Sequence, residues 1–156
     1  MTSHPTKFSP PLRSPDNFAR TPTRRLALDT STIIAVERRR IQPGAFLKAS
    51  DNLAMSVISL AEFRAGRLLA DETHEQATQR FLDALVQRVD VLPYDDAVLE
   101  QHVRLLAWTK AHGVPRGQHD LIIAATAAAT GRTLVTLDRR AHFDELPGVT
   151  AIALLP

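Results

Sequence analysis

Four acidic residues stand where apolar segments begin or end. Asp29 follows "LAL", Glu62 follows "SVISLA", Asp120 precedes "LIIAATAAA" and Asp138 follows "LVTL". None belongs to a hydrophilic run. A lone carboxylate set against an apolar element is costly to bury. Several carboxylates in one place also repel each other, and a divalent cation among them relieves that repulsion. Mg2+ and Mn2+ prefer oxygen ligands, keep several waters and are commonly held by a few carboxylates plus substrate phosphate. Such a cation polarises a phosphoryl oxygen and yields hydroxide near neutral pH. The chemistry that fits the set is phosphodiester hydrolysis.

The elements that must position these acids alternate along the chain. "RRLALD" reads as a strand and "TSTIIAVERRR" as a helix opened by hydroxyl caps. A second strand is expected at 53–58, followed by helices at 59–70 and 74–88. "VDVLP" is a short strand closed by Pro93. Residues 95–112 form a long amphipathic helix ended by Gly113, and 118–130 an Ala-rich helix ended by Gly131. Strands follow at 133–137 and 149–155. Strands separated by helices of this length imply an α/β fold with a parallel sheet and helices on both faces. In such sheets, sites form at the carboxyl ends of the strands. All four acids satisfy that placement.

Each acid also has a plain structural reading. Asp29 could cap the following helix. "SLAE", Ser59 to Glu62, matches a capping box. Asp120 could complement a helix dipole, and Asp138 could be a turn residue. Taken singly these are the simpler accounts, but together they do not explain why all four share one edge of the sheet.

The rest of the chain narrows the classes. Its 156 residues suit one domain, with 44% hydrophobic and 23% charged residues. No apolar run approaches the roughly 20 residues that span a bilayer. The absence of cysteine excludes disulfides, thiolate metal sites and cysteine nucleophiles, and fits a cytoplasmic location. Residues 1–23 carry five of the ten prolines and little apolar content, and are expected to be a disordered, basic leader. The leader either touches RNA or has no function. Residues 1–25 carry a net charge of +4, which leaves −2 on the remainder. The body is therefore not a basic nucleic-acid glove, and a polyanion must be met by local arginines, a metal or the leader.

The runs "LALDTSTIIA", "SVISLAEFRAG", "GQHDLIIAATAAATGRTLVTLDRRAHF" and "LPGV" resemble the PIN-domain ribonucleases, specifically the VapC toxins of bacterial toxin–antitoxin pairs. The resemblance covers residues 24–156, and the third run is its most specific part. It implies a PIN-like three-layer α/β/α fold around a central parallel sheet, with residues 24–156 as the PIN domain. It implies a Mg2+- or Mn2+-dependent endoribonuclease with an acidic site of Asp29, Glu62, Asp120 and Asp138. In that site Asp29 and Asp120 would be the principal metal ligands, and Thr30 and Thr136 would orient waters or carboxylates. It further implies an RNA substrate, a small cognate antitoxin and a homodimer. The amphipathic elements 31–40 and 59–70 would wall the antitoxin groove. The apolar face of 97–108 (Ala97, Val98, Val103, Leu105, Leu106, Trp108) would serve the dimer. The Pro-rich leader is a feature the family usually lacks.

Other residues weigh less. Arg116, just before the third acid, is a candidate phosphate contact, and Arg139 and Arg140 could line the same surface. Arg38, Arg39 and Arg40 suit a helix C-terminus better than a site. Asp95 and Asp96 read as caps, and Trp108 as core or interface. His119 adjoins Asp120, but helix neighbours do not face each other, which argues against a histidine ligand. An aspartate-nucleophile phosphatase would want an acid where Ser31 stands. A phospho-accepting receiver would want a lysine after a late strand, and Lys7, Lys48 and Lys110 are not so placed. The alternatives that remain are a PIN-like nuclease outside a toxin–antitoxin pair and a non-catalytic interaction module.

Overall fold

A computed structural model of the chain describes residues 23–70 and 74–155. Except for Thr23, the leader read over 1–23 lies outside the described residues. Five strands, β1 (Arg25–Leu28), β2 (Asn52–Ser56), β3 (Asp90–Leu92), β4 (Thr133–Thr136) and β5 (Thr150–Ala153), form one sheet in the order β3-β2-β1-β4-β5. Every pairing is parallel. The connecting helices are α1 (Thr30–Glu37), α2 (Val57–Leu68), α3 (Glu75–Arg88), α4 (Asp96–His112) and α5 (Gln118–Ala129).

The two-residue period of β1 divides the core. Ala27 packs on one face with Leu134 of β4, Val98 and Leu105 of α4, and the alanines of α5. Leu26 and Leu28 pack on the other face with Met55, Ile33 of α1, Phe63 of α2 and Leu82 of α3. Parallel strands buried on both faces need continuous apolar runs, which "LAL" and "LAM" supply. The small side chains of "AATAAA" let α5 lie close to the sheet, with Ala124, Ala125 and Ala127 fully buried. Below the sheet, buried Arg132 donates from Nη1 to Leu26 O (3.3 Å) and Asn52 O (3.0 Å). Those bonds tie the starts of β1 and β2 to the turn before β4.

Several boundaries differ from the sequence reading, each for a local reason. The first helix stops at Glu37 rather than Arg40, because Arg39 takes a left-handed φ of 55°. The second strand stops at Ser56, whose Oγ accepts from Ile58 N at 3.2 Å and caps α2. Ser59 is therefore inside the helix and buried, and "SLAE" is not a capping box. Glu62 lies in the second turn of α2, not the first. Asp95 does cap α4, accepting from Val98 N at 3.0 Å, and Gly113 ends it with a φ of 63°.

The apolar face read on 97–108 splits in two. Val98 and Leu105 belong to the chain's own core, and Trp108 packs half-buried against it. Leu99, Val103 and Leu106 form a separate exposed stripe at helical spacing.

Candidate active site

β1 and β4 are neighbours, so their carboxyl ends deliver Asp29 and Thr136 side by side. Asp29 N donates to Val135 O at 2.9 Å, which extends the ladder one residue beyond the strand. The Asp29 side chain makes no capping bond to α1. Its Oδ2 instead accepts from Ser31 Oγ and from Thr136 Oγ1, each at 2.7 Å. Ser31 Oγ and Thr136 Oγ1 lie 3.1 Å apart. Leu137 N donates to Ser31 Oγ at 3.0 Å and Asp138 N donates to Thr136 Oγ1 at 2.9 Å. The backbone of the β4 loop thus fixes two hydroxyls, and these fix one carboxylate oxygen. Neither hydroxyl bonds to Oδ1.

Asp29 is 4% exposed. Burial raises its pKa above the ordinary carboxylate value, against the pull of both hydroxyl bonds, and the charge of Glu62 adds to the rise. Glu62 is half-buried on α2 and accepts from Thr30 Oγ1 at 3.0 Å. Its other oxygen faces His119 Nδ1 at 3.5 Å. Asp120 lies in the first turn of α5. Its pKa is also raised, first by burial and then by the negative charges of Asp29, Asp138 and Glu62, with His119 opposing. The charges of the other three acids thus all act on Asp120. Asp138 is exposed and accepts from Arg140 N at 2.9 Å, so one of its oxygens has the turn role that the sequence also allowed.

The donor set suits a hard divalent cation: carboxylates and hydroxyls, with no lysine or arginine among them. Among the described residues, no group of three or more acidic or histidine side chains closes tightly enough to enclose an ion by itself.

Three residues gain importance that the sequence did not lend them. Ser31 is one; a hydroxyl two residues beyond an acid was its only signal. His119 is the second: it faces Glu62 across the α2–α5 gap, not Asp120 beside it. Gly117 is the third. Its φ of −59° is ordinary for any residue, so backbone freedom does not explain it. A Cβ there would lie 2.6 Å from Asp120 Oδ2. The absent side chain is the space that the Asp120 carboxylate occupies. Arg116, read as a phosphate contact, is paired with Glu145 Oε2 at 2.5 Å.

A groove opens beside the acids between α1, α2 and α3. It holds about 370 Å3 and runs along Ile34, Phe63, Gly66 and Thr78, with Arg38 and Arg67 at its rim.

Residues 26–149 match the model of the PIN domain. The chain is 33% identical over 131 residues to Ribonuclease VapC4 of Mycobacterium tuberculosis, covering 84% of this chain and 98% of that protein. It resembles the crystal structure of VapBC-5 of Mycobacterium tuberculosis, a member of the VapBC family of toxin–antitoxin systems. There the TM-score is 0.69 at 28% identity, covering 83% of this chain and 98% of the other. VapBC-1 of Haemophilus influenzae gives a TM-score of 0.70 at 25% identity, covering 83% and 97%.

Proposed function

The chain belongs to the PIN-domain family, and on that ground we propose that it is the toxin of a type II toxin–antitoxin pair, a metal-dependent endoribonuclease. The observation that carries the reading is buried Asp29 at the carboxyl end of β1, aimed by Ser31 and Thr136, with Glu62 held nearby by Thr30. Residues 24–156 are the nuclease unit. The proposed setting is the cytoplasm, where RNA is at hand, and no helix among the described residues is long and apolar enough to cross a membrane.

Asp29 and Asp120 would hold the Mg2+ or Mn2+, which supplies charge neutralisation at the phosphoryl oxygens and an activated water. Ser31 and Thr136 keep Asp29 aimed and ionised despite its burial. Thr30 anchors Glu62, which together with Asp138 would hold the attacking water and receive its proton. His119 steadies the second oxygen of Glu62. The test is cleavage of single-stranded RNA by wild type and by Asp29→Asn, each with divalent cation and with EDTA.

Gly117 yields a separate expectation. Gly117→Ala must turn the Asp120 carboxylate aside. Cleavage should fall roughly 10- to 100-fold, the usual cost of misplacing a metal ligand's support. Tm should move by only a few degrees, about what an N-cap change of under 1 kcal/mol produces. Unchanged cleavage at saturating and at limiting Mn2+ would show that Asp120 does not need that space.

The exposed stripe of Leu99, Val103 and Leu106 on α4 would pair across a C2 axis to form a homodimer. Arg139 and Arg140 of both copies would then line a shared RNA surface. Light scattering at micromolar concentration should read twice the chain mass, and Val103→Glu should halve it. A monomer that cleaves RNA at full rate rules the shared surface out.

A further inference from the structure

We propose that the cavity beside Asp138 receives the nucleobase flanking the scissile phosphate and thereby sets which RNA sequence is cut. The proposal rests on the nuclease reading of the acidic site and adds a specificity pocket to it. The cavity holds about 290 Å3 and shares Thr136 and Asp138 with the acids. A base lodged in it would sit against the loop that carries Asp138.

The size of the cavity comes from β5. Ala151 and Ala153 line it, paired in register with Leu134 and Thr136, while Ile152 between them does not. Two methyl-sized side chains leave room that larger residues would fill. β5 is an edge strand, paired among the described residues with β4 alone.

The charges around the cavity discriminate among ligands. Asp138 and Asp144 both line it, which disfavours a bare phosphate. A neutral base with apolar faces and a hydrogen-bonding rim meets no such penalty. Arg139 is in no salt bridge among the described residues. Its guanidinium is free to stack on a base or bond its edge, the usual mode of reading unpaired RNA.

The backbone at the rim points the same way. His142 sits at φ 46° and ψ 46°, a left-handed conformation that glycine adopts without strain. A histidine kept at such a position is strained, and its side chain lines the cavity. Its contact with Glu145, 3.2 Å between exposed groups, is too weak to account for it.

The test uses the full chain and a pool of short single-stranded RNAs randomised around the cut. Wild type, Ala153→Leu and His142→Gly are compared by sequencing the products and by Tm. Wild type should prefer particular bases at one position next to the cut. Both variants should flatten that preference about tenfold or more and leave the rate on the poorest sequence within about threefold. His142→Gly should match or exceed the wild-type Tm, because it relieves the left-handed residue; a purely structural histidine would lower it. Wild-type cleavage with the same base preference in both folded variants overturns the proposal alone. So does a uniform loss of rate on every sequence, or an unchanged preference with weakened antitoxin binding, which would make the cavity a protein contact. Wild type cleaving no better than Asp29→Asn overturns the nuclease reading and the pocket with it.

Discussion

Asp29→Asn is expected to reduce RNA cleavage by roughly a thousandfold or more, the scale of losing a principal electrostatic group in a preorganised site. The fold should survive. Asn keeps the shape of the side chain, and its oxygen can still accept from Ser31 and Thr136. What disappears is a charge that is 4% exposed and opposed by that of Glu62. Tm without metal should equal that of wild type or exceed it by up to about 4 °C. The pH dependence has a definite sign. Asp29 and Asp120 both titrate above the ordinary value of 3.8 in the native state. Between that value and their raised ones, the native state holds protons that the unfolded chain has released. EDTA-treated wild type should therefore be more stable toward acid pH and lose stability as pH rises through that interval. Asp51, held low by Arg24, acts in the opposite sense and only below 3.8, so the two effects do not overlap. Asp29→Asn should lose its part of the slope, and added Mn2+ should flatten the slope in wild type. Cleavage that survives both EDTA and Asp29→Asn would sink the metal-dependent reading.

Expression of the chain alone should arrest bacterial growth, and co-expression of its antitoxin should restore it. The groove between α1 and α2 supplies a variant that separates the two activities. Gly66 lies in the last turn of α2, where glycine is still a poorer helix former than alanine. A Cβ added there would meet nothing within 4 Å, so no packing inside the chain demands glycine. The space belongs to the groove, and the bound partner segment would use it. Gly66→Leu should fill the groove and favour α2, and it sets no charge against Glu62, which lines the same groove one turn back. Cleavage by the purified variant should stay near wild type. Antitoxin affinity should drop roughly a hundredfold, about 2.7 kcal/mol, and rescue of growth should fail. Full rescue of Gly66→Leu would place the antitoxin elsewhere. Harmless expression of folded, RNA-cleaving wild type would remove the toxin role and leave the nuclease standing.

The sequence by itself determined the order of elements and the parallel sheet. Buried parallel strands must be apolar throughout, and the crossovers before β4 run through helices, so "LALD" and "LVTL" are legible with no partner in view. It also determined that Asp29 and Asp138 would follow the first and fourth strands, because the apolar runs stop there, and that Glu62 and Asp120 would lie near helix starts. Element ends were less legible. Ser56 and Ser59 are both plausible caps, and the turn out of β2 selects between them. Tertiary structure alone decided what each side chain touches. Ser31 reaches Thr136 only because β1 and β4 pair in register across more than a hundred residues of chain. His119 reaches Glu62 because α2 and α5 pack together, a contact that neighbour rules along one helix cannot reveal. The α4 face that looked continuous divided because the sheet covered Val98 and Leu105 and left Val103 outside. Gly117 is the sharpest case. Its reason is a carboxylate oxygen three residues on in sequence and 2.6 Å from where its Cβ would lie, and an absent side chain has no signal until the carboxylate that fills its place is seen.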